Sequence, residues 1–262
     1  MAARAPAARR RRRYAQHFLR SNALAGELVR EADVSRGELV IEIGAGGGAL
    51  TAELARRAGQ VHAYEIDTRW ADALARRFAR HPNVVIVEGD ALAAPFPSEP
   101  FRVLANLPFN RTTDVLRHLL DDPRVPLTRA DLLVEWDVAQ KRARVAPSTF
   151  LGVVWGASYE LAAVRRLHAS AFAPPPPVDA GLLRVVRRLR PLVAPAEVEA
   201  YRGLVGSAFA CPRPLRRALR ERVGQRRFKQ LARAHGFAPD ARARDLDAYQ
   251  WAALYAAVRR IR

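Results

Sequence analysis

The chain has 262 residues, with 44 basic against 26 acidic side chains and a net charge of +18. Half of the residues are hydrophobic and no apolar run approaches the ~18 residues of a membrane span, so disorder, a membrane protein and an ordinary acidic metabolic enzyme are not expected. Lys141 and Lys229 are the only lysines, so the basicity is almost all guanidinium, the group that grips phosphate bidentately. It is concentrated at the ends: residues 1–13 carry +6, residues 14–179 carry −1 and residues 180–262 carry +13. A neutral middle between basic ends predicts one part for chemistry and others for a polyanion, with nucleic acid preferred to a membrane surface. The single cysteine, Cys211, is expected to be a small buried residue and leaves no internal disulfide or Cys-based zinc site. No apolar stretch follows the first arginines to make a secretory signal, so a cytoplasmic protein is expected, acting as a monomer.

Leu39–Ile43 is a short β-branched run that ends in the glycines of residues 44–48, and Ala49–Ala58 then reads as a helix. Strand signals recur at Val61–Ile66, Val84–Val87, Val103–Ala105 and Leu132–Glu135, with helices over Trp70–Ala79 and Thr113–Leu120. This alternation predicts an α/β doubly wound, Rossmann-like sheet of parallel strands with its ligand at their carboxyl ends. After Pro174–Pro177, Val178–Val186 reads as a late strand of the same sheet, and Pro191 and Pro195 mark a linker. Beyond it the pattern is helical only, over Tyr201–Ala210, Leu215–Val223, Arg226–His235 and Asp247–Val258. The expected organisation is a basic tail at 1–13, a catalytic domain at 14–190 and a small all-helical basic domain at 191–262.

A glycine loop after the first strand brings backbone N–H groups and a helix N-terminus close to a ligand, but is weak evidence alone. Three carboxylates sharpen it. Glu42, Glu65 and Asp90 end three successive strands and are expected on one rim of the sheet. An acid after the second strand suits both hydroxyls of a ribose, and one after the third suits an adenine amine, a set that fits S-adenosyl-methionine. The next strand ends in Asn106-Leu107-Pro108-Phe109. An exocyclic amine on a planar base is a poor nucleophile because its lone pair is delocalised. Acceptors at the Asn106 side chain and the Leu107 carbonyl draw the nitrogen towards tetrahedral geometry, Pro108 fixes the turn, and Phe109 is expected to stack on a flipped base. No metal is called for, since a sulfonium is already a good leaving group.

These motifs, with Gln16-His17-Phe18-Leu19 and Phe172–Asp179, resemble the rRNA adenine N6-dimethyltransferases over nearly the whole chain after residue 13. Segments 134–141 and 155–161 resemble the erythromycin-resistance (Erm) branch, which modifies one adenine of large-subunit 23S rRNA. The alternatives are the small-subunit dimethyladenosine transferases and a non-catalytic nucleic-acid-binding protein of the same fold. The resemblance implies that His17 and Leu19 contact the cofactor, Gly44 lies under its methionine part, Glu65 holds the ribose and Asp90 and Ala91 hold the adenine. Asn106 then lies where methyl donor and acceptor meet, and 23S rRNA is the partner. The chain has His17 where the family usually has Asn, which leaves a backbone contact at His17 but not a side-chain amide one, and Phe109 where Tyr is more frequent, so the hydroxyl is not expected to be needed.

Overall fold

Nine strands are present in a computed structural model that describes residues 17–146 and 148–259. They are β1 (Phe18–Leu19), β2 (Leu39–Ile43), β3 (Gln60–Glu65), β4 (Val84–Glu88), β5 (Phe101–Asn106), β6 (Leu127–Glu135), β7 (Tyr159–Leu167), β8 (Phe172–Ala173) and β9 (Ala180–Arg187). Seven form one sheet in the order β4-β3-β2-β5-β6-β9-β7, and β1 pairs antiparallel with β8. The pairs β2/β3, β3/β4, β2/β5 and β5/β6 are parallel, with Val40 opposite both Val61 and Arg102. Unbroken apolar runs are what a sheet covered on both faces requires, and in β2 the first four residues are all buried. The chain steps outward from β2 through β3 to β4, then returns to β5 on the other side of β2. That reversal opens a crevice at the carboxyl ends of β2 and β5.

The helices on this sheet are α1 (Asn22–Glu31), α2 (Ala49–Ala55), α3 (Thr68–Phe78) and α4 (Thr112–Leu120). Helix α1, which the sequence reading does not anticipate, starts where the Ser21 hydroxyl accepts from the N–H groups of Ala23 and Leu24 and buries Ala25, Leu28 and Val29. Helix α2 ends three residues before the expected Ala58. Strand β7 is also unanticipated: its alternate residues are buried or exposed, and it lies at the sheet edge. One carboxylate beneath the sheet is densely paired. Asp131, 1% exposed, meets Arg129 Nε at 2.6 Å and Arg184 Nε at 2.7 Å, and Arg102 NH2 lies 3.9 Å away. The same arginines donate to the carbonyls that end α1: Arg129 and Arg184 to Glu31, Arg102 to Ala32 and Asp33.

Two compact units result, one made of residues up to 139 with 163–185, the other of 140–162 with 186 onward. The break is therefore not the single one expected at 190. The second unit is assembled from two stretches, with α5 (Trp136–Ala143) running into it. It contains α6 (Phe150–Gly156), α7 (Val198–Ala210), α8 (Leu215–Ala218), α9 (Gln225–Ala234) and α10 (Ala248–Arg259), and every regular element from 188 to 259 is helical. Its core is aromatic: Trp155, Tyr201, Phe228 and Trp251 are fully buried, and the Trp251 indole donates to the Ala243 carbonyl at 3.0 Å. Leu215, Leu219 and Val223 are all buried, but the chain leaves the helix at Leu219, so the predicted helix to 223 is in part a turn. Cys211 is half-buried, just past the end of α7, rather than in the core. The Arg-rich stretch 1–13 lies outside the described residues.

Candidate active site

The crevice is a cavity of about 390 Å³, a size typical of small-molecule sites, which span roughly 300–1,000 Å³. Its walls come from the ends of β2, β3 and β5, the loop after β4, and β1. The turn after β2 depends on glycine, as its first two left-handed positions show. Gly44 has φ +75° and no protein atom within 4 Å of where a Cβ would stand, so its backbone is open to the cavity. Gly46 has φ +52°, and a Cβ there would sit 2.6 Å from the Phe18 ring.

Of the residues singled out in the sequence, His17, Gly44, Glu65, Asp90, Ala91, Asn106, Leu107 and Pro108 line this one cavity. Glu65 is buried. Its Oε2 accepts from Gly46 N–H at 2.7 Å and its Oε1 from Asp67 N–H at 2.9 Å, which ties the carboxylate to the glycine loop. Burial raises its pKa against the opposing pull of those N–H groups. Asp90 accepts from Leu92 N–H at 2.9 Å and keeps a 40% exposed side chain. The Asn106 Nδ2 donates to the His17 carbonyl at 2.7 Å, so this backbone contact of His17 is made to the protein itself. The His17 ring donates from Nδ1 to the Pro174 carbonyl at 2.8 Å, which holds β1 beside the cavity.

Three expected positions are elsewhere. Leu19 pairs with Phe172 and packs on the hydrophobic core, so it is not in the cavity wall. Phe109 starts a short 3-10 turn that folds its half-buried ring back onto the core, 5.8 Å from the His17 ring, so it is not in the cavity wall. Glu42 is not on the rim: it is 2% exposed beneath the loop, where it accepts from the Thr51 hydroxyl at 2.6 Å. Tyr64, Asn110 and Arg111, which do line the cavity, escaped the sequence reading. Tyr64 and Arg111 had only their adjacency to Glu65 and to the Asn106 turn as a signal.

Burial pushes the Glu42 carboxyl from its ordinary 4.5 up to about 8. The native state then retains a proton that the unfolded chain releases, so this group favours folding most at low pH and its contribution is lost as pH rises from about 4.5 through about 8. Glu42→Gln keeps an acceptor for Thr51 and removes the titration. Its stability relative to the wild type should improve from pH 5 to pH 9 in urea titrations; parallel profiles would contradict this.

Across residues 7–259 the chain matches the family model described as ribosomal RNA adenine dimethylase. The chain belongs to that family. Its reaction is methyl transfer from S-adenosyl-methionine to adenine of ribosomal RNA. It is similar to the mycinamicin-resistance protein MyrB of Micromonospora griseorubida, with 36% identity over 257 residues, 98% of this chain and 81% of that one. The small-subunit methyltransferase A of a Synechococcus strain shares 32% identity over 257 residues, 93% of this chain and 91% of its own. Among solved structures, the 23S rRNA methyltransferase ErmE superposes with a TM-score of 0.83 at 29% identity, covering 92% of this chain and 99% of that one.

Proposed function

We propose that this chain methylates the N6 amine of one adenine in 23S rRNA, in the cytoplasm, and thereby confers resistance to macrolides and the related lincosamide and streptogramin B drugs. The observation that carries the reading is that Asn106, Leu107 and Pro108 share a cavity with Glu65 and Asp90, which brings amine acceptors beside groups suited to a nucleoside. The likeness to ErmE and to the mycinamicin-resistance protein supports the large-subunit target. Extra methyls on an amine in a drug pocket remove donors and add bulk, so drug affinity falls.

The residues present fit S-adenosyl-methionine. Glu65 and Asp90 would accept from its hydroxyls and its adenine amine beside Ala91, and the backbone at Gly44 and His17 would border its amino-acid part. When bound, this cofactor supplies an electrophilic methyl group with sulfur as its leaving group. The protein's own work is at the acceptor. The Nδ2 contact to His17 fixes the Asn106 amide so that Oδ1 is the atom offered to the adenine amine. Leu107, anchored by its N–H to the Leu133 carbonyl at 3.1 Å, holds its own carbonyl next to it. The released proton passes to water, so no general base is required of His17.

RNA affinity is assigned to the helical part. Between residues 213 and 233 the side chains of Arg213, Arg217, Arg220, Arg222, Arg226, Arg227, Lys229 and Arg233 are exposed, and α9 has no acid. Each phosphate neutralised contributes a slope of roughly −0.7 to −0.9 to log affinity against log salt. Replacing Arg226 and Arg227 together by Glu should therefore weaken rRNA binding and flatten that slope by about 1.5, and a salt-independent affinity would refute the assignment. The whole reading is tested by primer extension on both rRNAs from cells expressing the chain. A new modification in 23S rRNA, with macrolide resistance, is expected; modification of 16S rRNA alone would give the small-subunit reading instead.

A further inference from the structure

Arg111 lines the same cavity but has no part in the chemistry above. It ends the 3-10 turn that begins at Phe109, and its N–H donates to the Pro108 carbonyl at 2.9 Å, so its Cα is held to the loop that presents Asn106. Its guanidinium is 46% exposed and lies between two carboxylates, with NH2 3.6 Å from Asp90 Oδ2 and Nε 3.4 Å from Asp114 Oδ2. Neither contact has the roughly 2.7–2.9 Å length of a charge-assisted hydrogen bond, and both acids are themselves exposed, at 40% and 58%. Exposed pairs of this kind are worth little and exchange partners readily. Asp90 in the cavity lining and Asp114 in the first turn of α4 would both repel an incoming phosphate, and Arg111 is the guanidinium set between them.

We propose that Arg111 is the phosphate-binding residue for the acceptor nucleotide, releasing Asp114 to grip the phosphodiester beside the extruded adenosine. This rests on the rRNA methyltransferase reading above. The planar fork matches a phosphodiester bidentately, and its tether to Pro108 relates the grip to the amine acceptors, giving register to a base that enters the cavity. Because the contact is made to the backbone of the RNA, it positions any adenine and does not select the site.

The test compares wild type, Arg111→Gln and Arg111→Lys with Arg124→Gln, which alters an exposed arginine paired with Asp122 outside the cavity. Binding of protein-free 23S rRNA is measured across a salt series, S-adenosyl-methionine binding by calorimetry, and methyl transfer as kcat and KM for RNA. Arg111→Gln is expected to raise the RNA KM about five- to tenfold with kcat within threefold, and to flatten the salt slope by about 0.7, the value for one phosphate of a single strand. Cofactor affinity should stay within threefold, and Arg111→Lys should restore the slope but only part of the affinity. A weaker cofactor affinity with unchanged RNA binding would overturn the proposal, since Arg111 would then act by orienting Asp90. An equal loss in Arg124→Gln would overturn it too, reducing the effect to net charge. Failure of the underlying reading looks different: the wild type itself leaves 23S rRNA unmethylated, and the proposal falls with it.

Discussion

Asn106→Ala protein is expected to fold, to bind S-adenosyl-methionine and rRNA within a few-fold of wild type, and to transfer methyl groups on the order of 10²–10³ times more slowly. The magnitude is that of losing one preorganised group aimed at charge that develops only in the transition state. The amide is preorganised here because its Nδ2 is already committed to the His17 carbonyl at 2.7 Å. Its orientation is set before the substrate arrives, and no reorganisation is needed as the amine pyramidalises. Single-turnover transfer to 23S rRNA, with macrolide resistance in cells as the second readout, checks the prediction. Normal turnover by Asn106→Ala protein would move the acceptor site elsewhere on the rim. Asn106→Asp is the sharper variant. It keeps an oxygen but loses the donor to His17 and adds a charge, so it should be nearly as slow as Asn106→Ala if orientation matters.

Asp131→Ala should be the most destabilising single change in the sheet-bearing unit. It strips the shared anion from Arg129, Arg184 and Arg102, three cations that converge on the carboxyl end of α1. Breaking a buried pair by removing one partner costs about 3–5 kcal/mol. The lower end applies, because the Arg129 and Arg184 side chains are 20% and 23% exposed and regain some water, and Arg102, 8% exposed, keeps its 2.9 Å pair with Glu38. At roughly 2–4 °C per kcal/mol for domains of 150–250 residues, the thermal midpoint should fall by about 10 °C, with Asp131→Asn falling less because one acceptor remains. A midpoint within 1 °C of wild type would mean that Glu38, at 2.9 Å from Arg102, and the carbonyls at the end of α1 satisfy the arginines without Asp131. The sequence did not mark this residue. Asp131 stands among apolar neighbours in Ala130-Asp131-Leu132, and its partners lie up to 53 residues away.

The glycine turn and the strands that lead to the site were legible locally, whereas the helix at Asn22–Glu31 and the strand at Tyr159–Leu167 were not. The apolar run Leu39–Ile43 followed by glycines specified a strand and a tight turn, because only glycine takes φ +75° at Gly44 without strain and leaves backbone open to a ligand. Glu65 and Asn106 end parallel strands and Asp90 lies in the loop two residues after a third, and a doubly wound sheet brings such ends to one rim. Which side chains on that rim face the cavity was another matter. Glu42 stands one residue before the end of β2, in register with Ala63 rather than with Glu65, and there it is buried against the Thr51 hydroxyl. Phe109 and Leu19 pack on the hydrophobic core instead of lining the cavity. The contact that holds His17 to Pro174 joins residues 157 apart, and the second unit is built from two stretches of chain. Pairings at that separation leave no trace in local periodicity. They follow only from which apolar faces pack together, so the site's chemistry was legible in its residue types while its geometry waited on the tertiary structure.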